Sequence, residues 1–195
     1  MHKLHLIYIT GLGDTRAGLQ RAAAKLWRMW GVESELFQMN WADEEPWDAK
    51  FARLLARVDV LRAEGKAVGL VGVSAGASAA INVYAARTND IAGIVLIAAK
   101  VNRPTTIGAL YREENPAFVS LVEQCVASLG KLDAAARQRI LSRYGWYDGR
   151  VAKQDSFIER AHNRRVPGVG HALIIALQVL FGAPSFVRFL KRLAV

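Results

Sequence analysis

Two short runs, Leu4–Ile9 and Ala67–Val73, are apolar, rich in β-branched residues and ended by glycine-containing sequence, and residues 91–98 form a third run of the same kind. A run this short and this uniformly apolar predicts a strand buried on both faces, as in a parallel sheet covered on each side. Between the runs lie segments with helical spacing. Leu19, Ala23, Leu26 and Trp30 share one apolar face, and Trp47, Phe51, Leu54, Val58 and Leu61 share another. Parallel neighbours need a right-handed crossover that lays a helix on the sheet, so the alternation predicts an α/β three-layer sandwich. Residues 32–37, with alternating glutamates, predict a strand nearer the sheet edge.

Beyond the third run the pattern predicts a helix over residues 116–129. Residues 139–144 either continue a helix from Asp133 or form a strand. The strand is preferred because Tyr144-Gly145-Trp146-Tyr147-Asp148-Gly149, rich in turn formers, follows it as a loop. Residues 151–160 are expected to be helical, residues 164–169 to form a weak last strand, and helices to start near His171 and Pro184. The chain has 195 residues and contains no repeat, low-complexity tract or linker, so residues 1–195 are read as one domain.

Ligands of an open parallel sheet gather at the carboxyl ends of its strands, so the residues just after each apolar run carry the chemistry. After Ala67–Val73 comes Gly72-Val73-Ser74-Ala75-Gly76, followed by a small-residue helix. Such a strand-to-helix turn exposes the Ser74 hydroxyl as a nucleophile, and Gly72 and Gly76 relieve crowding around it. The plain alternative is a glycine-rich turn with a serine N-cap. A serine needs a general base, and the chain offers four histidines. His2 and His5 fall at the wrong end of the sheet and His162 in a basic stretch, whereas His171 follows the last expected strand. The imidazole needs an orienting carboxylate: Asp148 is preferred, with Asp155 as its rival. The backbone amides of Ala75 and Leu12 are the expected oxyanion donors, the latter from the loop Thr10-Gly11-Leu12-Gly13-Asp14.

Taken together and in this order, the first-strand loop, the Gly72–Gly76 turn, Tyr144 to Val151 and Val166 to His171 resemble the α/β-hydrolase superfamily, in particular its small capless serine hydrolases. The resemblance implies a Ser74, Asp148, His171 triad, hydrolysis of an ester or related acyl bond through an acyl-enzyme, a small-molecule acyl substrate, and neither cofactor nor metal. The chain starts at what would be the family's third strand, so the sheet should have about six strands. Many relatives carry a histidine before the first loop glycine, where this chain has Thr10. Residues 102–129 are expected to form a short helical flap over the site.

The competing readings are a hydrolase fold that only binds and a dinucleotide-binding oxidoreductase. Gly11-Leu12-Gly13, with Glu33 and Glu35 downstream, suggests the latter, but Arg16 stands where its third glycine belongs. The formal charge of +9 is unevenly spread: residues 33–64 are acidic and residues 131–165 basic. Solvated surface is the default reading, contact with an anionic surface the alternative, and no nucleic-acid partner is expected. Residues 172–187 are apolar but broken by Gln178, Gly182 and Pro184, too short for a membrane span. A single cysteine, Cys125, excludes an intrachain disulfide, and with no recognisable signal peptide a cytoplasmic location is expected.

Overall fold

The computed structural model describes residues 3–14 and 18–194; His2 and Arg16 lie outside the described residues. Six strands form one sheet: β1 (Leu4–Ile9), β2 (Glu33–Phe37), β3 (Ala67–Val73), β4 (Ile91–Ile97), β5 (Ile140–Tyr147) and β6 (His162–Val169). Their spatial order is β2-β1-β3-β4-β5-β6, and every neighbouring pair is parallel. The helices are α1 (Gly18–Leu26), α2 (Trp47–Ala63), α3 (Ala75–Ala86), α4 (Ala109–Glu114), α5 (Pro116–Lys131), α6 (Ala134–Arg137), α7 (Lys153–Ser156), α8 (His171–Leu180) and α9 (Ala183–Leu193).

Because side chains alternate along a strand, each central strand feeds two cores. Leu6, Tyr8, Val71, Val95 and Ile97 face the layer of α1, α8 and α9. Ile7, Ile9, Leu70, Ile94 and Leu96 face that of α2, α3 and α5. The three-layer α/β/α architecture follows, and among the described residues no large cap is inserted between the strands.

Three local expectations are corrected. On α1 the buried residues are Ala23 and Ala24, and Trp27 follows them, whereas Leu19 is 87% and Leu26 51% exposed. The sheet takes the small side chains because α1 lies close to it, and the large ones are turned outward. The strand expected over residues 139–144 runs to Tyr147, through the segment read as a loop. Gly145 there is a packing residue: a Cβ on it would lie 2.5 Å from Ile174 Cγ1, and pairing with β6 resumes at Tyr147 opposite Val169. Within residues 151–160 only the single turn α7 is helical.

Edge strand β2 is half-buried along its length and is clamped by Glu35, which accepts from Arg57 Nε at 2.7 Å and Nη2 at 2.6 Å. Burial disfavours the Glu35 carboxylate, but the Arg57 and His5 contacts outweigh it and bring its pKa from the ordinary 4.5 to about 2. A carboxyl with a lower pKa in the folded state than in the unfolded chain stabilises above the unfolded value and loses that contribution as pH falls towards the folded one. Glu35→Gln is therefore expected to cost about 1 kcal/mol at neutral pH in urea unfolding. The difference from the native chain should shrink between about pH 4 and pH 2.

Among the described residues no single helix is long and apolar enough to cross a membrane; α8 and α9 reach that composition only as a pair bent by 64°. Ile174, Val179, Phe186 and Leu190 of this pair are buried in the core.

Candidate active site

The chain runs from β1 outward to β2 and then returns to place β3 on the other side of β1. This reversal opens a crevice beyond the carboxyl ends of β1 and β3. Ser74 sits there, between β3 and α3, with φ 52° and ψ −119°. A non-glycine residue at this positive φ is strained and persists only where its surroundings dictate it. Here they do. The Ser74 amide donates to Ile97 O at 3.0 Å, and the backbone on both sides is packed too closely for side chains. A Cβ on Gly72 would lie 2.7 Å from Ala77 Cα, and one on Gly76 would lie 2.6 Å from Thr10 O. Gly76→Ala would push α3 away from β1, and we expect a loss of about 3 kcal/mol, read as a lower urea midpoint at unchanged slope.

His171 is the first residue of α8, reached through Gly170 just past β6. Its Nε2 lies 2.9 Å from Ser74 Oγ and its Nδ1 lies 2.8 Å from Asp148 Oδ2. Asp148 follows β5 directly, and Gly170 N donates to Tyr147 O at 2.9 Å, which ties the two strand ends together. A carboxylate only accepts, so Nδ1 carries the proton and Nε2 is left to accept from the serine hydroxyl. The other Asp148 oxygen, Oδ1, accepts from the amides of Arg150 at 2.9 Å and Val151 at 3.0 Å. Burial works against ionisation of Asp148, but the His171 hydrogen bond, then those two amides, hold its carboxyl below the usual range.

The loop after β1 is braced from outside the site. Thr10 is fully buried and donates its hydroxyl to Asp14 Oδ2 at 3.3 Å, so it does not face the cavity. Asp14 also accepts from Asn40 N at 2.6 Å, and Trp41 Nε1 donates to Thr10 O at 3.0 Å. Gly11 lies against the serine, for a Cβ on it would lie 2.9 Å from Ser74 Cβ. Leu12 and Ser74 line the same cavity. Ala75 begins α3, where an amide has no acceptor within the helix.

Ser74 and His171 open onto a cavity of about 890 Å³ whose apolar wall includes Leu12, Ile107, Phe118, Ile175 and Val179. The rival residues lie elsewhere. Asp155 is buried in an ion pair with Lys100 Nζ at 3.0 Å and Arg103 Nε at 2.8 Å. His5 lies beside Glu33 and Glu35 near the start of β2, and His162 stacks edge-on against Phe189. Glu33 opens β2 and Glu35 is its middle residue, tied to Arg57, so neither stands at the carboxyl end where a ribose-binding acid would be needed. Burial pushes the Cys125 thiol up, which removes it as a competing nucleophile. No group of three or more histidine, cysteine, aspartate or glutamate residues suited to a metal occurs among the described residues.

No family model matches the sequence, and none of the curated proteins does. Solved structures do match in fold. One of the metagenome-derived lipolytic enzymes LipS and LipT superposes with a TM-score of 0.72 at 11% identity, over 98% of this chain and 94% of its own. Est1E from Butyrivibrio proteoclasticus gives 0.70 at 14% identity, over 98% and 89%. The monoacylglycerol lipase of Paleococcus ferrophilus gives 0.67 at 12%, over 97% and 93%. The chain has the α/β-hydrolase fold. In this fold, Ser74, Asp148 and His171 meet because each follows a different parallel strand, so all three emerge at the same end of the sheet. Sequence reasoning missed the brace of Asp14, Asn40 and Trp41. Its one accessible signal was an aspartate three residues after a loop glycine, which is too common to single out.

Proposed function

We propose that the chain is a serine hydrolase that cleaves esters of apolar acyl groups. The observation that carries this reading is the unbroken hydrogen-bonded run from Ser74 Oγ through His171 to Asp148 at the wall of an apolar cavity. His171 Nε2 takes the hydroxyl proton as Ser74 Oγ attacks the acyl carbonyl, and Asp148 stabilises the imidazolium that forms. The amides of Ala75 and Leu12 hold the negative oxygen. The imidazolium returns the proton to the departing alcohol, leaving an acyl group on Ser74. Water, deprotonated by His171, then attacks that acyl group, and the acid leaves as Ser74 recovers its proton.

The names of the structural neighbours, lipolytic enzymes and a monoacylglycerol lipase among them, support an ester substrate. The volume and lining of the cavity favour an acyl chain longer than acetyl. Within residues 102–129, Leu121, Val122 and Cys125 of α5 are fully buried, while α4 buries no residue and its Tyr111 lines the cavity. Any movement over the site therefore belongs to the stretch around α4 and not to α5.

A fluorophosphonate probe should form one adduct, found by mass spectrometry on the peptide containing Ser74. A series of p-nitrophenyl esters should give kcat/KM rising from acetate to medium-chain esters. Folded protein that neither labels nor turns over any member of the series would overturn the proposal.

A further inference from the structure

Several apolar side chains that α1 does not give to the core stand exposed along it. Leu19, Leu26 and, just beyond the helix, Met29 follow helical spacing and are 87%, 51% and 75% exposed. Beside α1 lies α8, joined to it by Trp27 Nε1 donating to Val179 O at 3.0 Å. There Leu173, Leu180 and the following Phe181 are 52%, 47% and 75% exposed. Leu19, Leu26 and Leu180 also line the cavity that holds Ser74, so the two helices present exposed apolar side chains at its mouth. Six large apolar side chains exposed on two adjacent helices mark an interaction face.

Its charge says what it meets. Arg21, Lys25 and Arg28 are exposed along α1 and its continuation, and no acidic residue occurs from Gly18 to Val32 or anywhere after Glu159. Arg21 donates to the neutral Gln38, and among the described residues no carboxylate pairs with any of the three. Glu113 and Glu114, on α4, do not line the cavity, and α4 packs on α5. In a symmetric dimer through this face the same cationic helix would oppose its own copy, with no acid to relieve it. A bare apolar partner would leave the cations without a purpose.

We propose that the α1 and α8 face docks on an anionic phospholipid bilayer, with Leu26, Met29 and Phe181 in the interfacial layer and Lys25 and Arg28 against the headgroups. Exposed apolar side chains flanked by lysine and arginine, with Trp30 at the border, are the combination that seats a helix in that layer. The cavity mouth then opens onto the lipid. The hydrolase reading bears only on what the bilayer delivers; docking itself needs no Ser74 chemistry.

The test is vesicle sedimentation with Ser74→Ala protein, so that lipid is not consumed and a failure of docking stays separate from a failure of catalysis. The protein should sediment with equimolar phosphatidylglycerol and phosphatidylcholine, stay free of pure phosphatidylcholine, and release in high salt. Lys25→Gln with Arg28→Gln should weaken partition about thirtyfold. Met29→Ser with Phe181→Ser should weaken it at least about tenfold without altering charge. None of these four side chains lines the cavity, so in the Ser74 background both pairs should keep the native turnover of a soluble short-chain ester. Equal binding to both vesicle types, no binding to either, or a concentration-dependent dimer that Phe181→Ser dissolves would overturn the proposal.

Discussion

Ser74→Ala is expected to lower kcat for p-nitrophenyl esters by about 10⁶, and His171→Ala by about the same factor. Combining the two should cost no more than either alone. The reason lies in the 2.9 Å contact between Ser74 Oγ and His171 Nε2. A serine hydroxyl without its base is nearly inert, and an imidazole without its serine has nothing to deprotonate, so the first substitution removes the covalent route and the second finds it already gone. A residual rate about 10³ to 10⁴ above that in water should survive in the double variant if the amides of Ala75 and Leu12 act as the proposed oxyanion donors. Additive losses would mean that the two residues act independently and would remove the mechanism. Both variants should fold, as neither side chain fills core volume and the strained backbone at Ser74 is held by Gly72 and Gly76 rather than by the hydroxyl.

Much of this arrangement is legible without coordinates because parallel strands buried on both faces leave an unmistakable pattern. The run around Leu70 is apolar at every position, and that around Leu6 at all but His5, since alternate side chains enter different cores, and the ends of such strands are where a polar residue has a purpose. Two kinds of information are not local and were lost. The first is which side of a helix faces the sheet. Leu19 and Leu26 promise burial by their chemistry, yet α1 sits close enough to the sheet that only Ala23 and Ala24 fit beneath it, with Trp27 at its end. The second is the reason for a glycine. Gly145 looks like a turn residue, but it lies within a strand and is small because Ile174 occupies the place of a side chain. The brace from Asp14 to Asn40 and from Trp41 to Thr10 was hidden for the same reason, as it joins residues about 30 positions apart that touch only after β2 has paired with β1.

The two aspartates near the end of β5 should respond to the same substitution in opposite ways. Asp148→Asn is expected to lower kcat by about 10⁴ while leaving the thermal midpoint within a few degrees of the native value. Its Oδ1 contacts with the Arg150 and Val151 amides can be kept by the asparagine carbonyl. The NH2 group then faces His171 Nδ1, which must accept instead of donate, and the proton moves to Nε2, where it blocks deprotonation of Ser74. Asp155→Asn removes no group from the reaction path but breaks a buried ion pair. Lys100, 7% exposed at its side chain, would lose the only carboxylate within 3.0 Å among the described residues. Leaving a buried charge unpaired costs about 3 to 5 kcal/mol, so this variant should show a clearly lower urea midpoint and, in the fraction that is folded, turnover within about tenfold of native. Because Lys100 also lines the cavity, a moderate rise in KM is compatible with that outcome. A 10⁴-fold loss of kcat in folded Asp155→Asn, with Asp148→Asn near native, would transfer the orienting role to Asp155 and require His171 to turn away from the carboxylate 2.8 Å from its Nδ1.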